Sequence, residues 1–155
     1  MLNEAERREI EEVLSRYGGD AQAASVESLK ALQRRRRWVS DETLADLAAF
    51  LGLSMADLES VATFYNLIFR RPVGRNVILV CDSVSCWLMG YEGVSARLCE
   101  RLGIGFGETT EDGRFTLLPT VCLGDCDRAP VMMVNDDLHR ELAPETVTSI
   151  LDRYR

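Results

Sequence analysis

The chain is expected to fold as an α/β protein, with a helical N-terminal part followed by a small α/β sandwich. Two observations carry this expectation. Apolar residues recur at helical spacing through the first 70 or so positions, and β-branched runs then alternate with two further helical stripes. A Pro/Gly junction, Arg71-Pro72-Val73-Gly74, separates the two patterns and places a boundary between residues 1–72 and 73–155.

In the first part, Ile10, Val13, Leu14 and Tyr17 share one helix face. Asn3 with Glu6 three residues later is an N-cap pair, and Gly18-Gly19 ends the helix. Val26, Leu29 and Leu32 form a second stripe that closes on Arg34, Arg35, Arg36 and Arg37. Basic residues at a helix C-terminus complement the macrodipole, so this run reads as a solvated helix end, with a subunit contact as the alternative. A third helix carries Leu44, Leu47, Ala48 and Leu51, with Ser40 as cap and Gly52 after it. A fourth starts at Ser54, with Asp57 at the reciprocal cap position, and carries Met55, Leu58, Val61 and Ala62. Four short amphipathic helices with brief loops make a bundle, and none gathers a catalytic cluster of titratable groups.

Beyond the junction, Asn76 to Val80 is apolar on both faces, as a central strand would be. Tyr91, Val94, Leu98 and Leu102 give a helix, and Phe115–Leu118 and Val131–Val134 read as strands. Pro144 and Glu145 open a last helix through Val147, Ile150 and Leu151, although Ala143 supplies no polar cap. The order β-α-β-β-(β)-α makes a thioredoxin-like sandwich the leading candidate.

Composition narrows the partners. The net charge of −7 argues against nucleic acid, which needs a dense basic face. No apolar run approaches the roughly 18 residues that span a bilayer. The charged start, Met1 to Glu9, is unlike a secretory signal, so the expected compartment is the cytoplasm, where thiols stay reduced. Five cysteines in such a chain favour metal binding or thiol chemistry over a disulfide framework.

Four of them form two pairs. Cys81-Asp82-Ser83-Val84-Ser85-Cys86 follows the first strand, and Cys122-Leu123-Gly124-Asp125-Cys126 follows the second. Four thiolates on two loops suit a two-iron cluster with two ligands per iron. The gaps of four and three residues lack the tight C-x₂-C knuckle of most zinc sites and of thioredoxin-type redox motifs. A Rieske centre needs two histidines, whereas the chain has His139 alone. Iron–sulfur is therefore favoured, with zinc and reactive thiols as the alternatives. Ser83, Ser85 and Gly124 leave backbone N–H groups able to approach sulfur.

The remaining features read as structural. Cys99 falls on the apolar side of its helix and reads as a buried core residue. Trp38 and Trp87 read as packing residues, Trp87 being placed to shield the metal site from water. Gly103-Ile104-Gly105-Phe106-Gly107 follows a helix and lacks the full dinucleotide fingerprint, so it reads as a loop. His139 has no partner set for a triad and reads as an ordinary strand residue.

The two cysteine loops, the second continuing as Asp127-Arg128-Ala129-Pro130-Val131-Met132-Met133-Val134-Asn135-Asp136, resemble a known family. It is the thioredoxin-like [2Fe–2S] subunit of bacterial respiratory complex I, the NADH:quinone oxidoreductase. Val61-Ala62-Thr63-Phe64-Tyr65, Arg70-Arg71-Pro72-Val73-Gly74-Arg75 and Asp112-Gly113-Arg114-Phe115-Thr116 share the resemblance, which runs from about Glu27 to the C-terminus. It implies a helical bundle packed on a thioredoxin-like [2Fe–2S] ferredoxin domain. It also implies that Cys81, Cys86, Cys122 and Cys126 ligate one [2Fe–2S] cluster. The expected partners are a flavoprotein subunit that carries FMN and binds NADH, and other complex I subunits, which would hold the chain on the cytoplasmic face of the inner membrane without direct insertion. Related subunits serve NAD-linked hydrogenases and formate dehydrogenases. A zinc-stabilised structural subunit and a free-standing ferredoxin are the rival readings.

Overall fold

The computed structural model describes residues 1–154 and divides into two compact units, Met1–Pro72 and the chain from Val73 onward. The first contains α1 (Glu4–Arg16), α2 (Ala21–Arg36), α3 (Asp41–Leu51) and α4 (Met55–Phe64). Capping explains the starts. The Asn3 side chain accepts from Glu6 N at 2.9 Å while Asn3 N donates to the Glu6 carboxylate at 2.9 Å, a complete capping box. Ser40 accepts from Thr43 N at 3.1 Å, and Gly52 ends α3 at φ +68. At α4 the expected reciprocal bond is replaced. Ser54 Oγ donates to the Asp57 carboxylate at 2.6 Å, and Asp57 N donates back to Ser54 Oγ at 3.1 Å.

The helices bury Ile10, Leu29, Leu32, Leu44, Leu47 and Leu58 completely, with Val39 from the α2–α3 loop. The inward face of α2 is wider than its apolar stripe, because Ala24, Ser25, Ser28 and Ala31 are buried beside the leucines while Val26 is only half-buried. Ser28 satisfies its hydroxyl on Ala24 O at 2.8 Å, so a small polar residue fits there at little cost. Tyr17 and Met55 are exposed although they belong to the periodic stripes.

Arg34, Arg35 and Arg37 are exposed at the end of α2, as a solvated helix end requires, and the run also pairs with α1. Arg34 and Arg35 both reach Glu9, at 2.9 and 2.7 Å, and Arg36 takes the buried Glu6 carboxylate through two bonds of 2.7 Å and Thr43 at 2.9 Å. The chain doubles back after Gly18-Gly19, which sets the acidic face of α1 against the end of α2. Helical periodicity alone does not show such pairing. The Arg36 bond, against the opposing effect of burial, holds the Glu6 carboxyl below the usual range.

The second unit contains β1 (Asn76–Cys81), α5 (Val84–Leu88), α6 (Tyr91–Leu102), β2 (Phe115–Thr120), β3 (Met132–Val134), β4 (Asp137–His139) and α7 (Pro144–Leu151). The sheet order is β2-β1-β3-β4. β1 is central and fully buried, as its sequence requires. It runs parallel to β2, with Asn76 opposite Phe115 and Cys81 opposite Thr120, and antiparallel to β3, with Val80 opposite Met132. α6 and α7 cover the sheet through Val94, Leu98, Val147, Ile150 and Leu151. This is the mixed α/β sandwich expected.

Gly74 lies flat on the start of β2. Its N donates to Thr116 Oγ1 at 2.6 Å, and a Cβ there would meet Phe115 backbone carbon at 3.0 Å. α7 starts without a polar cap at Ala143, and Thr146 Oγ1 takes the Ala143 N–H instead, at 3.3 Å. His139 sits in β4 with Nε2 2.7 Å from the Tyr154 hydroxyl, which donates to Asp137 at 2.9 Å. Cys99 is half-buried against the α6 side of the core rather than enclosed in it. Among the described residues, no helix is long and apolar enough to cross a membrane.

Candidate metal centre

Parallel pairing positions the site. Because β1 and β2 point the same way, their C-terminal ends meet at one edge of the sheet. Cys81 is the last residue of β1, and Cys122 stands two residues after β2 ends. Two bonds tie the edge together. Cys81 N donates to Val131 O at 3.2 Å, and Asp82 N donates to Thr120 O at 3.1 Å.

The first loop contains the short helix α5, which sequence periodicity does not declare. Ser83 holds its N-cap position in extended backbone but makes no side-chain cap bond. Its hydroxyl instead helps to draw the Cys81 thiol down. One turn of helix then carries Cys86 inward. Cys81 and Cys86 are each 1% exposed and pack with Ala129 and Val131, walled by Tyr91, Leu123 and Leu138. The signal for α5 is present in Ser83 ahead of Val84, Trp87 and Leu88, but five residues are too few for a periodic pattern.

The second loop turns back on itself at Gly124, whose φ of +84 favours glycine. Gly124 N donates to Cys122 Sγ at 3.3 Å, and Cys122 Sγ stands 3.3 Å from Cys126 Sγ. Cys126 opens a single 3₁₀ turn, Cys126–Arg128, and an Asp125–Arg140 ion pair braces the loop. Both sulfurs of this pair belong to exposed residues.

The electrostatics join the pairs. Burial alone would raise the Cys81 thiol, but the Ser83 N–H, the Cys86 thiol, the Leu123 N–H and the Ser83 hydroxyl together bring it below its usual range. Burial pushes Cys86 up to about 11, with the neighbouring charge on Cys81 and Cys126 adding to it and the Val131 N–H opposing. Cys126 is raised chiefly by Cys122, while the Ser85 hydroxyl draws it down and Cys81 is felt from the other loop. The N–H donors of Leu123 and Val131 were missed from the sequence, because they act on the loop opposite their own. Backbone contacts between loops leave no residue-type signature.

The donor set fits a two-iron cluster. Four thiols in two pairs lie at the common end of β1 and β2, with the Gly124 N–H directed at the Cys122 sulfur.

Trp87 does not shield this site. It is 54% exposed, its indole N–H 3.3 Å from Glu92. α5 is so short that one residue, Cys86, takes its inward face, leaving Val84, Trp87, Leu88 and Met89 outward. Val121 on the second loop is exposed as well.

A family model described as thioredoxin-like [2Fe–2S] ferredoxin matches residues 10–155, and the chain belongs to that family. A NADH-quinone oxidoreductase subunit of Escherichia coli (strain K12) is 51% identical over 154 residues, which cover 99% of this chain and 92% of that protein. The subunit of the same name from Pseudomonas aeruginosa is 48% identical with the same coverage. Among solved structures, a chain of an NAD⁺-reducing [NiFe]-hydrogenase in the air-oxidized state superposes with a TM-score of 0.70 at 26% identity. The match covers 81% of this chain and 22% of the hydrogenase chain, so it spans about a fifth of that protein.

Proposed function

We propose that this chain is the electron-transfer subunit of a NADH:quinone oxidoreductase that holds one [2Fe–2S] cluster on Cys81, Cys86, Cys122 and Cys126. The observation that carries the reading is the meeting of two thiol pairs at the common end of parallel β1 and β2. Near-full-length likeness to NADH-quinone oxidoreductase subunits supports the parent complex.

A bound two-iron cluster takes up and releases electrons singly, whereas a hydride from NADH carries two. The chain's own residues do the rest. Cys81 and Cys86 anchor one side within the apolar wall of Ala129, Val131 and Leu138, which keeps water from those sulfurs. Cys122 and Cys126 present the other side at the surface, where a partner's flavin can approach. N–H groups of Gly124, Ser83, Leu123 and Val131 stabilise negative charge on the sulfurs. No acid, base or nucleophile is required of this chain.

The partner is a flavoprotein that carries FMN and binds NADH, and the whole stands on the cytoplasmic face of the inner membrane. The exposed Val84, Trp87, Leu88, Met89 and Val121 border the cysteines and belong to the surface facing it. A second reading, the equivalent subunit of an NAD-linked hydrogenase, is favoured by the structural likeness and weakened by its lower identity.

The test is an anaerobic pull-down of the full-length chain from its native cells, followed by addition of NADH. Co-purification of an FMN-containing subunit and of quinone-reducing activity, with an iron–sulfur signal reduced by NADH, is the expected result. Recovery with a hydrogenase and no quinone-reducing activity would shift the assignment to the second reading.

A further inference from the structure

The second cysteine loop carries a carboxylate beside one of its thiols. Asp125 lies between Gly124 and Cys126, so its Cα stands about 3.8 Å from that of Cys126. Its neighbours Gly124 and Cys126 are exposed, whereas the Asp125 side chain keeps only 19% of its surface. The carboxylate accepts the Arg140 Nε–H in an ion pair. Arg140 is held for that contact from both sides. Before it, His139 pairs with Met132 in the β3–β4 ladder. After it, Glu141 N donates to Arg128 O at 2.8 Å, and Leu142 N donates to Pro130 O at 3.0 Å. On the loop side, Arg128 N donates to Asp125 O at 3.1 Å. The two backbones that carry the pair are therefore fixed against each other, and less conformational freedom is lost in forming it.

We propose that Arg140 is a positioning residue for electron transfer that acts through Asp125, holding and neutralising the carboxylate beside Cys126 and so keeping the reduction potential from falling. The inference rests on the ligand assignment proposed above. The reduced site carries one more negative charge than the oxidised one. A free carboxylate one residue from a ligand opposes that charge, whereas a carboxylate paired with a guanidinium opposes it far less. Removing the cation and removing the anion must therefore move the potential in opposite directions. A pair that only braced the loop would give no such opposition. Because the pair is partly exposed, salt screens both shifts.

The experiment is a redox titration of the full-length, anaerobically purified chain at low ionic strength, followed by electron paramagnetic resonance. Wild type, Arg140→Gln, Arg140→Lys, Asp125→Asn and the double variant Asp125→Asn/Arg140→Gln are compared after their iron and sulfide contents are measured. All are expected to keep full cluster content. At the wild-type midpoint the reduced-to-oxidised ratio of Arg140→Gln falls roughly three- to tenfold, tenfold being about 59 mV for one electron. Asp125→Asn shifts the ratio the other way, and the double variant returns close to wild type. Arg140→Lys, which keeps the charge, also stays close to wild type. Both single shifts shrink in about 1 M salt. An unchanged midpoint in either single variant overturns the proposal, and so do shifts of the same sign. A double variant as low as Arg140→Gln, or a Lys variant as low as Gln, overturns it as well. Loss of the cluster from either single variant does the same, since the pair would then retain the cluster rather than set its potential. Absence of iron and sulfide from the wild-type chain contradicts the ligand assignment itself, a separate result.

Discussion

The two cysteine loops supply the same chemistry in opposite surroundings. Cys81 and Cys86 are closed into an apolar wall, whereas Cys122 and Cys126 stand on an exposed turn held by a glycine and an ion pair. The first pair therefore belongs to the packing of the second unit as well as to the site. The second pair belongs to the site alone. An electron-transfer site gains from both: the buried loop orders the ligands and lowers the local dielectric, and the exposed loop shortens the path to a partner.

The contrast has direct consequences. Replacing Cys81 or Cys86 with Ala should abolish the cluster and also weaken the metal-free fold, by about 1 kcal/mol, the usual scale for a disturbed core position. For a unit of this size that is a fall of roughly 4–8 °C in Tm by calorimetry. Equal stability of the metal-free wild type and variant would remove the packing role.

Replacing Cys122 or Cys126 with Ala should lose the cluster as completely while leaving metal-free stability within about 0.5 kcal/mol, as at other exposed positions. A drop as large as that of the buried pair would erase the difference between the loops.

Alkylation of the metal-free chain sharpens the comparison further. The thiolate is the reactive form, and a thiol raised to about 11 stays protonated at pH 8. Mass spectrometry should find Cys122 modified early at pH 8 and Cys86 spared, with Cys86 labelling rising as pH increases toward 11. Equal labelling at pH 8 would contradict the buried placement.

Cys99→Ala is the smallest change. Its thiol packs on α6 away from both loops, so cluster content should be unchanged and Tm should fall by no more than a few degrees. Loss of the reduced-cluster signal would add a ligand to the four.

What was legible in the sequence follows the range of each interaction. Caps, apolar stripes and the apolar run of β1 act within a few residues, so Asn3, Ser40, Gly52 and the strand from Asn76 to Val80 were readable in place. The cysteine pairs were readable because their spacing is itself a local pattern. Interactions between distant segments were not. The pairing of Arg34, Arg35 and Arg36 with Glu9 and Glu6 of α1 lay beyond the solvated helix end that the run suggested, and Trp87 read as a packing residue until α5 proved too short to hide it. Leu123 and Val131 act through backbone N–H groups on the opposite loop, which any residue but proline could provide.

The most direct measurement is the iron, zinc and acid-labile sulfide content of the full-length chain purified without oxygen, together with its electron paramagnetic resonance spectrum after reduction. A [2Fe–2S] cluster held by four thiolates requires about two irons and two sulfides per chain, no zinc, and a signal from one unpaired electron that appears only on reduction. One zinc per chain, with neither iron nor sulfide, would contradict the assignment of Cys81, Cys86, Cys122 and Cys126 as cluster ligands.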